Sequence, residues 1–394
     1  MSKLWQIGKN VLHPVVEAFE TGDDLVVDQK LVKYDSLGSI AQAKMLGTIG
    51  ILSKPEVARL TKALLVIIDL DQKGKFILKP GDEDVHTAIE NYLVKHCGQV
   101  GKKIHAGRSR NDQVLTAVRL YAKEHLQLIV SAGQTLITSF NDFAHKYKTI
   151  KMPGYTHMQK AMPSTVGIWA DSFSSSLRDD IKLLQSIYQL IDQSPLGSAA
   201  GYGSPLPVDK KLSARLLGFS RVQENPLYCQ NSRGKFEAAI VGGLIQILLT
   251  LNKFATDVML FSTSEFGFLN VDSSVTTGSS IMPQKKNVDV AELLRSKVHL
   301  VLGFYTGLVG LSSNLPCGFN RDMQDSKKPL MESFVITLSS LQVSKVLLEN
   351  ISPNKKKLKT AMTPELFAAH DALSLVQKGT SFRDAYRQVK QRFR

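Results

Sequence analysis

The sequence predicts a mainly α fold, a central bundle of long helices with smaller N- and C-terminal helical domains. Three observations predict it. Fourteen prolines are unevenly spread, leaving residues 81–152, 164–194, 227–282, 284–315 and 330–352 without one. Proline costs about 3 kcal/mol inside a helix, so these tracts are where long helices can run. Within them, apolar residues recur at alternating spacings of four and three. Ile240, Leu244, Ile247, Leu251, Phe254, Val258 and Phe261 form one seam; Leu294, Val298, Val301, Tyr305 and Leu308 form another. Such seams bury one helix face along a partner helix. Strand-like alternation is nearly absent.

Taken in order, residues 1–108 carry shorter patterns broken at Pro14, Pro55 and Lys79-Pro80-Gly81, and read as an N-terminal helical domain. Met1–Asn10 lacks the charged-then-apolar order of an export signal. Residues 109–353 form the expected bundle, in which Gly242 and Gly243 serve close helix approach. Residues 354–394 read as a short C-terminal helical domain. It opens with Lys355, Lys356, Lys357 and Lys359, and a helix is expected from Thr363-Pro364-Glu365, with threonine as cap and proline in the first turn.

Composition narrows the classes of function. No apolar run reaches the ~18 residues of a membrane span, so no membrane partner is expected. Cys97, Cys229 and Cys317 are odd in number and widely separated, which suits a reducing cytoplasm better than a disulfide or zinc framework. The formal charge is +14. Basic residues outside the lysine run are mixed with acids and no recognisable module gathers them, so nucleic acid is not expected as a partner. A basic protein acting on a small anion explains the balance as well, and so does a solvated surface bias.

Three polar loops interrupt the helical tracts. His105–Asp112 sets two arginines, a serine and an asparagine at a helix start, with free backbone N–H groups; that suits a carboxylate or phosphate, or equally a cap with solvated arginines. Met152–Gln159 holds His157 beside Thr156 and Gln159 in a turn, as a proton carrier, an orienting donor or a structural histidine. Asp272–Asn287 joins two helical seams, yet is rich in Gly, Ser and Thr and ends in Pro-Gln-Lys-Lys-Asn. A lid carrying a reactive serine near lysine charge needs this composition; a plain linker does not. Gly197–Gly203 lacks phosphate-loop spacing. Asp82, Glu83, Asp84 and His86 read as an acidic helix start rather than a metal site.

Gly278–Asn287 resembles the signature of the fumarase/aspartase superfamily, and its double lysine followed by Asp289, Glu292 and Leu293 is most similar to the argininosuccinate lyase family. His105–Gln113, Met152–Gln159, Asp82–Glu90, Pro195–Ser198, Ser264–Phe268 and Asn320–Lys327 resemble further motifs of that family, so the likeness covers nearly the whole chain. The resemblance implies elimination of argininosuccinate to arginine and fumarate, without cofactor or metal. It implies Ser279 as base, and His157 paired with Glu292 for proton transfer or polarisation. Lys285 and Asn287 are implied to stabilise an aci-carboxylate intermediate. Ser109, Arg110, Asn111 and Thr156 are implied to contact the fumarate-forming part; Gln324 and Lys327 lie near the arginine-forming part, with His86 in a site segment. A homotetramer with active sites shared among three subunits is implied too.

Some positions depart from the pattern. Ala106 stands for a common threonine, Phe319 for a tyrosine, Val288 for a proline and Gln42 for a histidine; Ser232 and Gly234 flank Arg233 in place of aspartates. The chain also ends at Phe393-Arg394, short of the family's usual extension. Two other readings are another elimination, such as adenylosuccinate cleavage, and a crystallin-like structural homologue.

Overall fold

The computed structural model describes residues 13–79 and 81–393; the export-signal reading of Met1–Asn10, Pro80 and Arg394 lie outside them. Among the described residues five helices exceed twenty residues: Arg110–Lys146, Val166–Ile191, Lys235–Ser262, Asp289–Leu311 and Lys327–Glu349. Four fall within expected tracts; Lys327–Glu349 starts ahead of its tract, with Pro329 in its first turn. The first, at 37 residues, is about 55 Å long at 1.5 Å per residue. Lys235–Ser262 and Arg321–Glu349 are long and apolar enough to cross a membrane by length and composition, but 61% and 50% of their most apolar windows are buried inside the protein.

The seams are buried as read, except that Tyr305 is half-buried. All seven residues from Ile240 to Phe261 are buried, as are Leu294, Val298, Val301 and Leu308. Gly242 lies against the Tyr305 ring, 3.3 Å from where a Cβ would stand, so a side chain here would push two helices apart. Prolines sit at helix starts. Pro14 opens Pro14–Thr21, and Pro55 lies within the capping box of Ser53 and Glu56 that starts Lys54–Gln72. Thr363 precedes a 3-10 turn, Pro364–Phe367, that leads into helix Ala368–Gln377.

The chain forms two compact units. One comprises residues 13–128, Leu184–Gly242 and Gly303–Phe334. Its interior is partly polar: Arg119 donates to Gln193 O and Ser232 Oγ, both at 2.8 Å, and Lys123 pairs with Asp192 at 2.5 Å. The other comprises Ile129–Leu183, Gly243–Leu302 and residues 335–393. It is built on an aromatic cluster in which Phe254 meets Phe140 and Phe173 with centroids 5.1 and 5.5 Å apart. Trp169 beside them donates to Asp257 at 2.8 Å.

Strands are few, but one pair corrects the sequence reading. Lys151–Thr156 and Gln159–Thr165 form an antiparallel hairpin, so the histidine loop is a β-turn on a ribbon. Prolines 153 and 163 face each other across the ladder, and no residue of the second strand is fully buried, so it has no alternating apolar face to read. Two further two-stranded sheets pair Gln193–Ser194 with Arg221–Val222 and Leu269–Val271 with Ile351–Pro353.

Candidate active site

The first unit gathers one group of expected residues. Helix Arg110–Lys146 begins at Ser109, whose N–H donates to Asp112 Oδ1 (3.0 Å) while its Oγ accepts from Asn111 N (3.2 Å). Asp112 is fully buried and its other oxygen accepts from Gly197 N and Ala199 N, at 3.0 and 2.9 Å. Burial pushes this carboxyl up to about 6, against those donors and Arg108. The helix start is thus tied to the Pro195–Gly203 turn, where Gly197 and Ala199 have φ of 98° and 52°.

Arg110 reaches back to Glu83 (2.8 Å) and Asp84 (3.2 Å). Asp84 caps helix Val85–Cys97 by accepting from Thr87 N at 2.7 Å, as the acidic helix-start reading expected. Burial opposes its ionisation, but His86, Arg110 and the Thr87 bonds hold it below the ordinary carboxylate range. His86 is buried with Nδ1 3.1 Å from Asp35 Oδ1. Burial would lower it; Asp35, Asp84 and Asp28 raise it. Lys327, also buried, lies between Asp28 (2.6 Å) and Asp24 (2.9 Å). Gln324 donates to Glu20 O at 2.8 Å.

These groups line a cavity of about 200 Å³ holding His86, Arg110, Asn111, Gln324 and Lys327 together with Asp24, Asp28, Arg233 and Phe319. The last four were not picked as site residues. Asp24, Asp28 and Asp35, four and seven apart among apolar residues, were the available signal. The Arg233 guanidinium is buried, hydrogen-bonds to none of the described residues and lies 5.6 Å from the centre of the Phe319 ring.

Two departures have structural reasons. Gln42 donates to Ala106 O at 2.8 Å, bracing the loop that follows. At Gly234, with φ 80°, a Cβ would stand 2.3 Å from Ser312 Oγ, so the common aspartate does not fit.

The second unit carries the other group. The hairpin tip is a two-residue turn, with His157 at φ 52° and Met158 at φ 61°. This type of turn needs positive φ at both positions and favours Asn-Gly; two ordinary side chains there are strained. Tyr155 anchors the ribbon among Phe261, Phe266 and Phe268, at centroid distances of 6.4, 5.8 and 6.5 Å. Thr156 and His157 are exposed.

The serine loop is closed at its base by a bridge: Thr277 N donates to Asn287 O (2.9 Å) and Asn287 N to Thr277 O (2.8 Å). Thr277 Oγ1 adds a 2.5 Å bond to Asp289, in the first turn of the next helix. At the tip, Ser279 Oγ accepts from Met282 N (3.1 Å) and, more weakly, Ile281 N (3.4 Å). Lys285 is exposed, Asn287 half-buried and Glu292 exposed. Among the described residues, His157 and Glu292 make no side-chain hydrogen bond to each other, and none joins the hairpin tip to the serine loop. The expected site residues divide between the two units: His86, Ser109, Arg110, Asn111, Gln324 and Lys327 belong to one; Thr156, His157, Ser279, Lys285, Asn287 and Glu292 to the other.

A family model described as "Lyase" matches residues 17–303. The argininosuccinate lyase of Thermotoga neapolitana is 46% identical over 99% of this chain and 98% of its own. The chain belongs to this lyase family, in its argininosuccinate lyase branch. Among solved structures, an EDDS lyase variant with bound fumarate superposes with a TM-score of 0.81 at 23% identity, covering 97% of this chain and 76% of its own. A class II fumarase from Schistosoma mansoni reaches 0.80 at 16%, covering 95% and 91%. At those identities the likeness is one of fold, and the mainly helical architecture is the family's.

Proposed function

We propose that this protein is an argininosuccinate lyase, cleaving its substrate into L-arginine and fumarate by elimination. The observation that carries this is 46% identity to a curated argininosuccinate lyase along 99% of the chain. The first-unit cavity suits such a substrate, because Asp24, Asp28 and Asp84 can face its cationic end while Arg233, Arg110 and Lys327 can face carboxylates.

In this reading Ser279 is the base. Two backbone N–H groups directed at its Oγ favour the ionised form, because a hydrogen bond to the charged state stabilises that state. The alkoxide takes the proton from the carbon beside a carboxylate, and charge moves into that carboxylate. Lys285 and Asn287 stabilise the dianion, the kind of interaction whose loss costs about 10²–10³ in rate. The C–N bond then breaks as the fumarate double bond forms and the nitrogen takes a proton. His157 with Glu292 handles proton transfer or polarises the substrate. Ser109, Arg110, Asn111 and Thr156 hold the fumarate-forming part; Gln324 and Lys327 hold the other end, next to His86.

The separate groups are united by assembly into a homotetramer, in which loops of different protomers meet. Support comes from helix Asp289–Leu311, which buries one face and leaves Leu293 and Leu300 exposed on another. Around Gly303, Gly307 and Gly310 the space is open. Solvent has no use for such a stripe; a partner helix does. On this reading residues 109–353 supply the assembled bundle, flanked by 1–108 and 354–394. Three free cysteines fit the cytoplasm as its location.

The test is direct. Purified protein with argininosuccinate should raise ultraviolet absorbance as fumarate appears. No rise at high enzyme concentration sinks the reading and favours a crystallin-like homologue; turnover of adenylosuccinate instead would mean a different elimination.

A further inference from the structure

The lysine run after Asn354 has no part in the reaction proposed above, and it opens a segment with unusual charge for its length. Residues 355–394 hold ten lysines and arginines against three acids, a formal +7 and half of the chain's +14. Helices Ala368–Gln377 and Phe382–Lys390 pack as a hairpin with its own small core: Ala372, Ala385 and Val389 are buried, with Ala368, Leu375 and Val376 against them.

That core uses up the apolar side of the last helix, yet two aromatic rings remain outside. Phe382 is 59% and Tyr386 52% exposed, with centroids 6.4 Å apart. The Lys390 ammonium lies 5.8 Å from the centre of the Tyr386 ring. Arg383 and Arg387, one helical turn apart and both exposed, form the adjoining stripe. Asp384, the one acid on this helix, is engaged by Ser381 Oγ at 2.6 Å. The exposed face is therefore an aromatic stripe edged by cations.

Three occupants can be compared. A second copy would set +7 against +7 and be repelled. A membrane-surface helix sinks a wide apolar face, whereas this one has already packed that face within its hairpin. Unpaired bases stack on exposed rings while cations hold their phosphates, a combination that needs both features of this face. We propose that the C-terminal hairpin is a docking surface for single-stranded RNA. Bases stack on Phe382 and Tyr386, phosphates pair with Arg383, Arg387 and Lys390, and the lysine run strengthens the local positive field. This departs from the expectation of no nucleic-acid partner, which rested on the absence of a recognisable module. The surface is independent of the catalytic reading.

The experiment uses the full chain and a fluorescein-labelled polyuridine of about 20 nucleotides, followed by anisotropy at several salt concentrations. Saturable binding is expected, weakening with salt at a log–log slope of about −0.7 per phosphate contacted. Arg383→Glu with Arg387→Glu should weaken it at least tenfold and flatten the slope by about 1.4. Phe382→Ala with Tyr386→Ala should weaken it at least fivefold, as lost stacking does. Both double variants should release fumarate at the wild-type rate, which separates failure of this proposal from failure of the enzyme or its fold. No saturable binding at low salt, or equal binding by both variants, overturns the proposal. So does tighter binding to polydeoxythymidine of the same length, or variant-sensitive binding to phosphatidylglycerol vesicles without binding to RNA.

Discussion

At the scale of single residues, chemistry and structure can be tested separately. Ser279→Ala removes the proposed base from a loop whose closure is made by Thr277 and Asn287 instead, so the fold should be unchanged by circular dichroism. Fumarate release should fall by about 10²–10⁴, the usual worth of a positioned proton-transfer group. His157→Asn is the sharper case. Asparagine tolerates the left-handed backbone that His157 adopts at φ 52°, so the turn survives while the imidazole is lost. A similar loss of kcat with an unchanged melting temperature is expected; retained activity would remove His157 from the mechanism.

Asp112 makes a stability prediction. Its carboxyl is raised from 3.8 to about 6 by burial, so between those values the folded protein holds a proton that the unfolded chain releases. The stabilisation is complete below about 4 and is lost as pH rises through about 6, a swing of about 3 kcal/mol at 1.36 kcal/mol per unit. Unfolding free energies of wild type and Asp112→Asn, measured from pH 4 to 7, should differ in slope over that window. Parallel curves would show that Asp112 is not the titrating group.

At the scale of elements, the helices were legible and the hairpin was not. A proline-free tract with apolar spacings of four and three is a physical description of a buried helix face. Every residue of the Ile240–Phe261 seam is buried accordingly. The hairpin's second strand, Gln159–Thr165, has no such face, since its residues are exposed or half-buried, and no Asn-Gly marked the turn. The same contrast runs through the candidate site. The loops that carry His157, Ser279 and Lys285 stood out because polar segments interrupt helices, while Ser279 and Lys285 were singled out within theirs by the family resemblance. Asp24 and Asp28 share one short helix, whereas Arg233 lies far along the chain and meets them only when the first unit folds. The strained turn makes the element's own prediction. Met158→Gly removes a side chain at φ 61° and should raise stability by about 0.5–1 kcal/mol, seen as a higher melting temperature. No gain would mean that contacts of the Met158 side chain offset the strain.

At the scale of the whole molecule, the proposed tetramer can be broken without touching a catalytic group. Gly307 has open space around it within the protomer. Gly307→Phe should therefore keep the helical content of the chain, while gel filtration with light scattering shows a mass below four times 43.5 kDa and fumarate release falls. A variant that keeps both the mass and the activity would place the assembly interface elsewhere. The same open face of glycines and leucines ties function to mass action. If sites exist only where protomers meet, specific activity becomes a property of concentration as well as of sequence. Dilution would then lower the rate per chain and the apparent melting temperature together, and a ligand bridging protomers would restore both.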